Sequence, residues 1–172
     1  MDDIDRSILK MLQEDAMRTY AALGEGVGLS SGAAHERVRK LRASGVVRRT
    51  TIDVDADALG RGVLAFVLID ANAWMGDCAD ALAAIATIEE AHIIAGAAAV
   101  LVKVRTASTE QLQEALREIF DIDGVTGTQA IVVLETFFER PLDPREPPDS
   151  SDPRSTQRFD ARRRQPMGRA GP

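Results

Sequence analysis

The sequence predicts an α+β protein of two unlike folding units followed by a disordered tail. Residues 1–50 carry apolar residues at helical spacing in three short segments. Residues 63–138 predict strand, helix, strand, strand, helix, strand, the order of the ferredoxin-like split βαβ arrangement. All seven prolines fall at or beyond residue 141, where apolar residues are scarce, so residues 139–172 are expected to form a disordered Pro- and Arg-rich tail.

Two short helices open the first unit. An acid at Asp2 or Asp3 suits a helix N-terminus, and apolar residues follow on one side of the helix. After a break at residues 14–18, Thr19 is a good N-cap for a second helix that extends to about Val27. A turn containing Gly28 then leads to a third helix, which completes a helix-turn-helix layout.

The third helix, capped by Ser30, is the segment that the sequence marks for DNA binding. Its apolar residues at i, i+4 and i+7 predict one buried stripe: Ala34, Val38 and Leu41. From Gly28 to Thr50, six Lys or Arg stand against one acid, Glu36, in a chain whose net charge is −6. A solvated basic face is the plain alternative, but the turn before the helix and the β-prone run after it favour DNA recognition.

The outward-facing residues of this helix supply the predicted DNA contacts. We expect Gly32, His35, Glu36 and Arg39 to approach base edges, and Arg37, Lys40 and Arg48 to meet phosphates. The complete predicted DNA-binding set is Ser30, Ser31, Gly32, His35, Glu36, Arg37, Arg39, Lys40 and Arg48.

A hinge strand is predicted over Val46–Val54, and residues 51–62 form the predicted linker between a DNA-binding domain at 1–50 and a second domain at 63–138. The second domain's strands are predicted at 63–69, 90–95, 99–104 and 128–138, and its helices at 77–86 and from a Ser108 or Thr109 cap to Phe120. The first and last strands are apolar on both faces, while both helices cover only one face of the sheet. A second subunit is the simplest cover for the other face.

Composition excludes several other classes of protein. The apolar runs are far shorter than the ~20 residues of a membrane-spanning helix, and the acidic N-terminus is unlike a signal peptide, so a cytoplasmic protein is expected. His35, Cys78 and His92 lack zinc-ligand spacing, and Cys78 is expected to be a buried core thiol. No catalytic grouping or phosphate loop is present in the sequence, so no metal, cofactor or enzymatic activity is expected.

Residues 1 to about 138 resemble the Lrp/AsnC family of prokaryotic transcription regulators. The likeness rests on IDRSILKMLQED, VGLSSGAAHERVRKLRASGVV, DVDADALG and AHIIAGAAAVLVKV in this order and spacing. It implies double-stranded DNA as a partner, a homodimer formed through the sheets, and assembly of many members into tetramers or octamers. It also implies a small-molecule effector, commonly an amino acid bound between subunits.

In this family the effector site lies near a Gly-x-x-Asp turn between the second and third strands. Here that turn reads Gly96, Ala97, Ala98, Ala99, so an alanine replaces the aspartate. Ala130 stands where many members carry a threonine on the last strand. Both differences remove polar groups, so we expect a site with weak affinity for free amino acids, or one that takes a less polar molecule.

Two alternatives of other classes remain open at this point. Sirohaem decarboxylases resemble the same two-domain plan, and His92 is the one candidate base in the second domain. A ligand-sensing protein without DNA binding is the other alternative, and Glu36 favours it because phosphates repel a carboxylate. Glu36 can instead pair with Lys40 four residues later, or accept from a cytosine amino group.

Overall fold

The computed structural model describes residues 1–72 and 78–145, and it divides the chain into two compact units. One unit contains Met1–Thr51 together with the described residues from Arg140 onward, and the other contains Ile52–Glu139. Over these described residues the secondary structure confirms the predicted class, with three helices in the first unit and a four-stranded antiparallel sheet with two helices in the second.

The helices of the first unit begin where the sequence places their caps. They are α1 (Asp3–Glu14), α2 (Tyr20–Val27) and α3 (Ser31–Ala43). Asp2, Thr19 and Ser30 each accept a hydrogen bond from a backbone N–H in the first turn of the helix that they cap. Gly28 ends α2 with φ 72°, a left-handed conformation that favours glycine. The predicted buried stripe of α3 packs with Ile8 and Leu23 to form the core of this unit.

The predicted hinge strand is wrong for this structure. Residues 47–55 have no regular secondary structure, and the four strands of the sheet all come from residues 63–132. A strand is defined by its hydrogen-bonded ladder to a neighbour, and this segment is outside the sheet order β2-β3-β1-β4. Its β-prone composition alone does not provide that neighbour.

The second unit has the predicted order of elements. They are β1 (Val63–Ala71), α4 (Ala79–Ala84), β2 (Ile88–Ile93), β3 (Val100–Thr106), α5 (Thr109–Phe120) and β4 (Val125–Val132). The two central strands, β3 and β1, pair in antiparallel register, with Val67 opposite Val102. Ser108 caps α5 by accepting from the backbone N–H of Gln111.

Several predicted bounds need correction. β2 begins and ends two residues before the predicted strand at 90–95, because its pairing with β3 begins at Ile88. β4 spans 125–132 instead of 128–138, because its ladder with β1 runs from Val125 to Val132. Within the predicted helix at 77–86, the described residues are α-helical only over Ala79–Ala84, since Ile85 turns to extended backbone. Residue 77 lies outside the described residues.

Strand β1 is apolar on both faces, as its sequence predicts, although Lys103 and Arg105 of β3 lie beside Phe66 and Leu64 on the face away from the helices. One face, which includes Ala65, Val67 and Ile69, packs under α4 and α5 and is fully buried. Leu64, Phe66 and Leu68 alternate with them on β1 and are buried or half-buried. Beyond β4, apolar side chains become exposed, with Leu134 at 96% and Phe137 at 87%.

The predicted tail begins with residues that contact the first unit. The Arg6 guanidinium donates to the carbonyl of Pro144 at 2.8 Å, and the Gln13 side chain donates to the carbonyl of Leu142 at 2.8 Å. Residues 140–145 therefore lie along α1. The rest of the predicted tail, including Arg162, Arg163 and Arg164, is outside the described residues.

Candidate nucleic-acid interface and effector region

The surface of α3 presents most of the predicted DNA-binding residues. Ser30, Ser31, Gly32, His35, Arg39 and Lys40 are exposed or nearly so, while Ala34 and Val38 on the opposite side are fully buried. The helix therefore turns a polar and basic face outward from its own core. Arg42 and Arg48 are also exposed and extend the positive charge beyond the C-terminal end of the helix. This arrangement suits both phosphate contacts and a helix placed in a major groove.

Glu36 and Arg39 are paired on this exposed face. The Nε and Nη2 atoms of Arg39 donate to the two carboxylate oxygens of Glu36, each at 2.7 Å. The Lys40 ammonium is farther away, at 3.9 Å from the same carboxylate. The hydrogen bond from Arg39 holds the pKa of Glu36 below its usual value, and raises that of Arg39. The pairing expected from sequence, Glu36 with Lys40, is therefore secondary to a bidentate pair with Arg39.

Arg37 is directed into its own unit. Its Nη1 donates to Asp5 at 2.7 Å and to Asp2 at 2.8 Å, which joins α3 to the N-terminus of α1. Asp2 and Asp5 also form the capping box of α1, in which each side chain accepts from the other's backbone N–H. Hydrogen bonds from the Asp5 backbone and from Arg37 lower the pKa of Asp2. The sequence predicts a phosphate contact for Arg37, whereas the structure gives this side chain two internal partners, Asp2 and Asp5.

A contact that the sequence analysis missed joins α2 to α3. The Tyr20 and His35 rings meet edge to face, with centroids 4.6 Å apart and planes 63° apart. The His35 ring thus packs against Tyr20, while His35 as a whole remains exposed to solvent. Tyr20 directly follows the Thr19 cap, but nothing in the local spacing predicts its contact with a residue on the next helix.

The proposed effector residues lie apart within one chain. Gly96–Ala99 connect β2 to β3, and the backbone N–H of Ala99 donates to the carbonyl of Ile69 at 3.0 Å. Ala98 is buried at 9% exposure and Ala99 is half-buried against the core. Ala130 is on β4, opposite Val67, and β1 separates it from β3.

His92, the candidate base of the enzyme alternative, lies on the surface of β2. Its side chain is 57% exposed, and Nε2 is 3.2 Å from the carboxylate of Glu90. This hydrogen bond, followed by the charge of Lys103, lowers the pKa of Glu90. The environment is that of a solvated surface pair and does not distinguish His92 as a base.

Two further features of the described residues bear on function. Within residues 1–72 and 78–145, no cluster of three or more His, Cys, Asp or Glu side chains has the geometry to hold a metal ion. In the same ranges, the helices are too short or too polar to cross a membrane. Cys78, expected in the core, is half-buried, and its Sγ lies 3.8 Å from the Asp123 carbonyl.

Comparison with known proteins gives the family. The AsnC-type helix-turn-helix domain matches residues 1–42, and the Lrp/AsnC ligand binding domain matches residues 64–143. The HTH-type transcriptional regulator FL11 of Pyrococcus horikoshii is 38% identical over 140 residues, which cover 81% of this chain and 93% of that protein. The regulatory protein AsnC of Escherichia coli is 32% identical over 148 residues, covering 84% of this chain and 97% of AsnC.

Solved structures agree with these relatives. The structure of E. coli AsnC superposes with a TM-score of 0.76 at 31% identity, covering 83% of this chain and 98% of that one. A feast or famine regulatory protein from M. tuberculosis, complexed with L-methionine, superposes with a TM-score of 0.75 at 31% identity, over 80% of this chain and 95% of that one. The chain belongs to the Lrp/AsnC family, and it is a DNA-binding transcriptional regulator with a helix-turn-helix domain and a ligand-binding domain.

Proposed function

We propose that this regulator reads duplex DNA with the exposed face of α3, as a dimer that places two such helices on one site. Residues 1–50 act as the DNA-binding domain, 51–62 as the linker, and 63–138 as the dimerisation and effector domain. The observation that carries the proposal is the outward basic face of α3, which is fixed by the burial of Ala34, Val38 and Leu41 on its other side.

Individual residues take different parts in this proposal. Gly32 lies near the start of α3, and a Cβ added there would meet nothing within 4 Å, so the fold itself does not require glycine at this position. Its missing side chain would instead allow a base edge to approach the helix closely. Lys40 and Arg48 would neutralise phosphates, and Arg39 would reach base edges. We leave Arg37 out of the contact set because Asp2 and Asp5 already hold its guanidinium.

The test is DNA binding as a function of salt. An operator is selected from a random duplex library, and binding is then measured by fluorescence anisotropy at several salt concentrations. Lys40→Ala should weaken binding to all duplexes alike and reduce the salt slope by about one. Arg39→Ala should weaken operator binding more than random-duplex binding. Binding that is unchanged in both variants at every salt concentration would contradict the assignment.

The dimer is proposed from the open face of the sheet. Phe66 and Leu68 on β1, and Ile131 on β4 with 49% exposure, lie on the face opposite the helices. A second copy of the chain would bury them, and its twofold axis would favour pseudo-palindromic sites with half-sites about one DNA turn, ~10 bp, or a multiple apart. Light scattering should show a dimer or larger assembly at micromolar concentration, and Ile131→Glu should shift it towards monomer. A monomeric wild type would refute this part of the proposal.

The proposed effector response differs from amino-acid sensing. An α-ammonium that leaves water needs a partner, and a charge-assisted hydrogen bond contributes about 1.5–3 kcal/mol. Ala99 provides no carboxylate, and its backbone N–H is already bonded to Ile69. We therefore propose weak or absent binding of common amino acids, and a less polar effector if one binds near Gly96–Ala99. The protein from M. tuberculosis that was solved with L-methionine provides the comparison for this test.

A further inference from the structure

The Glu36–Arg39 pair lies in the middle of the exposed face of α3. Both side chains are accessible, Arg39 at 60% and Glu36 at 46%, so the pair is not needed to neutralise buried charge. An acid here reduces the attraction of the helix for phosphates, and exposed pairs of this kind contribute little to stability. The function of Glu36 is therefore to be sought in DNA binding.

The geometry of the pair determines which part of Arg39 is available. Glu36 occupies the side of the guanidinium that carries Nε and Nη2, with both distances at 2.7 Å. The outer end, Nη1 and the second hydrogen of Nη2, points away from the carboxylate. That end can donate two parallel hydrogen bonds to O6 and N7 of a guanine. A phosphate that approaches the occupied side must instead compete with the carboxylate.

Specific and non-specific complexes depend differently on such an arginine. Non-specific binding rests almost wholly on phosphate neutralisation, whereas specific binding adds base-edge contacts. Glu36 cancels the net charge of Arg39 and occupies one of its two bidentate sides, but it leaves the outer end free to donate to a base edge, so it weakens phosphate neutralisation more than base contact. The raised pKa of Arg39 and the lowered pKa of Glu36 agree with a pair that stays ionised at neutral pH.

We propose that Glu36 is a specificity-determining positioning residue, which holds Arg39 for a guanine and withholds it from phosphate. The inference rests on the proposed DNA-binding role of α3. Glu36 lowers the affinity for random duplex DNA more than the affinity for the operator, and so it raises the ratio of the two affinities. Lys40, at 3.9 Å from the same carboxylate, is withheld from phosphate to a smaller degree.

The experiment compares Glu36→Gln with Glu25→Gln as the matched control. Glu25 is an exposed acid on α2, so its substitution makes the same charge change in the same unit away from the α3 face. Both full-length variants are titrated with a selected operator and with a random duplex of equal length, across salt concentrations. Far-UV circular dichroism checks that their helix content is unchanged, and Glu36→Ala serves as a second variant at the same position.

Glu36→Gln is expected to tighten random-duplex binding by about two- to fivefold and to steepen its salt slope by up to about one, since Arg39 becomes a phosphate contact. Operator binding should tighten less, so the affinity ratio falls. Glu25→Gln should change both duplexes equally and by less.

A double-mutant cycle separates positioning from simple charge repulsion. If Glu36 acts through Arg39, the gain from Glu36→Gln should shrink to the Glu25→Gln level in an Arg39→Gln background. An equal gain in both backgrounds, or an unchanged affinity ratio, would overturn the inference while leaving the DNA-binding role intact. A selective loss of operator binding in Glu36→Gln, without a gain on random duplex, would also overturn it, because Glu36 would then be a base-reading residue. Absence of duplex binding by the wild type would instead overturn the proposed function itself.

Discussion

Gly24 provides the sharpest test of how the helix-turn-helix is packed. A Cβ built on this residue would lie 2.5 Å from the carbonyl oxygen of Leu29 and 3.1 Å from two backbone atoms of Ser30. These atoms belong to the turn that leads into α3, and the Leu29 N–H donates to the Gly24 carbonyl at 2.8 Å. The close approach of α2 to this turn therefore requires glycine.

Gly24→Ala should destabilise the helical unit. Forcing a methyl group against backbone that cannot rotate away costs about 1–3 kcal/mol, and the better helix propensity of alanine returns about 1 kcal/mol. The expected net loss is up to about 2 kcal/mol, together with a displacement of Ser30, the N-cap of α3. This displacement of Ser30 should weaken DNA binding, although Gly24 is not among the residues proposed to contact DNA.

Gly26→Ala is the matched control in the same helix. Its added Cβ would meet only the Cε of Met11 at 2.5 Å and the Sδ at 2.9 Å, the far end of a flexible side chain that can change rotamer. With little cost to offset the propensity gain of about 0.5–1 kcal/mol, this variant should be neutral or more stable.

Hydrogen exchange of α2 and α3 amides, followed by mass spectrometry, reports the stability of this unit separately from the sheet domain. Faster exchange is expected in Gly24→Ala and wild-type or slower exchange in Gly26→Ala. Equal protection in the two variants would refute the argument from close backbone approach.

Three further predictions follow from the same structure. Arg37→Gln should speed exchange in α1 and α3 but leave the salt slope of DNA binding unchanged, and a slope lower by about one would instead mark Arg37 as a phosphate contact. Because Arg37 helps to lower the folded-state pKa of Asp2 from its usual 3.8, the stability from their pair is fully present above pH 4 and is lost as pH falls through the lowered value. The stability difference between wild type and Arg37→Gln should therefore narrow in acid unfolding experiments below pH 4. Calorimetric titration with the common amino acids should show no low-micromolar binding by the wild type, whereas Ala99→Asp should gain measurable binding; tight binding by the wild type would refute the proposed effector preference. Phe66→Glu, like Ile131→Glu, should dissociate the assembly seen by light scattering, and a variant that stays dimeric would place the interface elsewhere.

Two alternatives, an enzyme and a ligand-sensing protein without DNA binding, are each less well supported than a DNA-binding regulator. The relatives are named as transcriptional regulators, and His92, the base that an enzyme would need, is a solvated partner of Glu90. Glu36, which favoured a protein without DNA binding, is neutralised by Arg39 and so repels phosphates less than an isolated carboxylate would. The exposed basic face of α3 then remains the feature that favours DNA binding.

Local patterns in the sequence were sufficient for the helices and for the order of the second domain. Ser30 caps α3 because its side chain reaches a backbone N–H three residues later, a contact within one turn of chain. The buried stripe of Ala34, Val38 and Leu41 follows from helical periodicity in the same way. The sequence of β1 also correctly indicated a strand with apolar side chains on both faces, since side chains alternate along any strand.

Only the tertiary structure decided which long-range partners these elements have. Arg37 looked like another cation of the DNA-binding face, but Asp2 and Asp5, more than thirty positions away, hold it inside the unit. The predicted strand at 46–54 and the predicted extension of β4 to 138 failed because a strand needs a neighbour, and composition does not specify one. The need for glycine at Gly24 depends in the same way on the turn at Leu29, which approaches α2 only after the helices pack. Capping and periodicity act within a few residues, whereas ion pairs, strand ends and close approaches depend on distances that exist only in the folded chain.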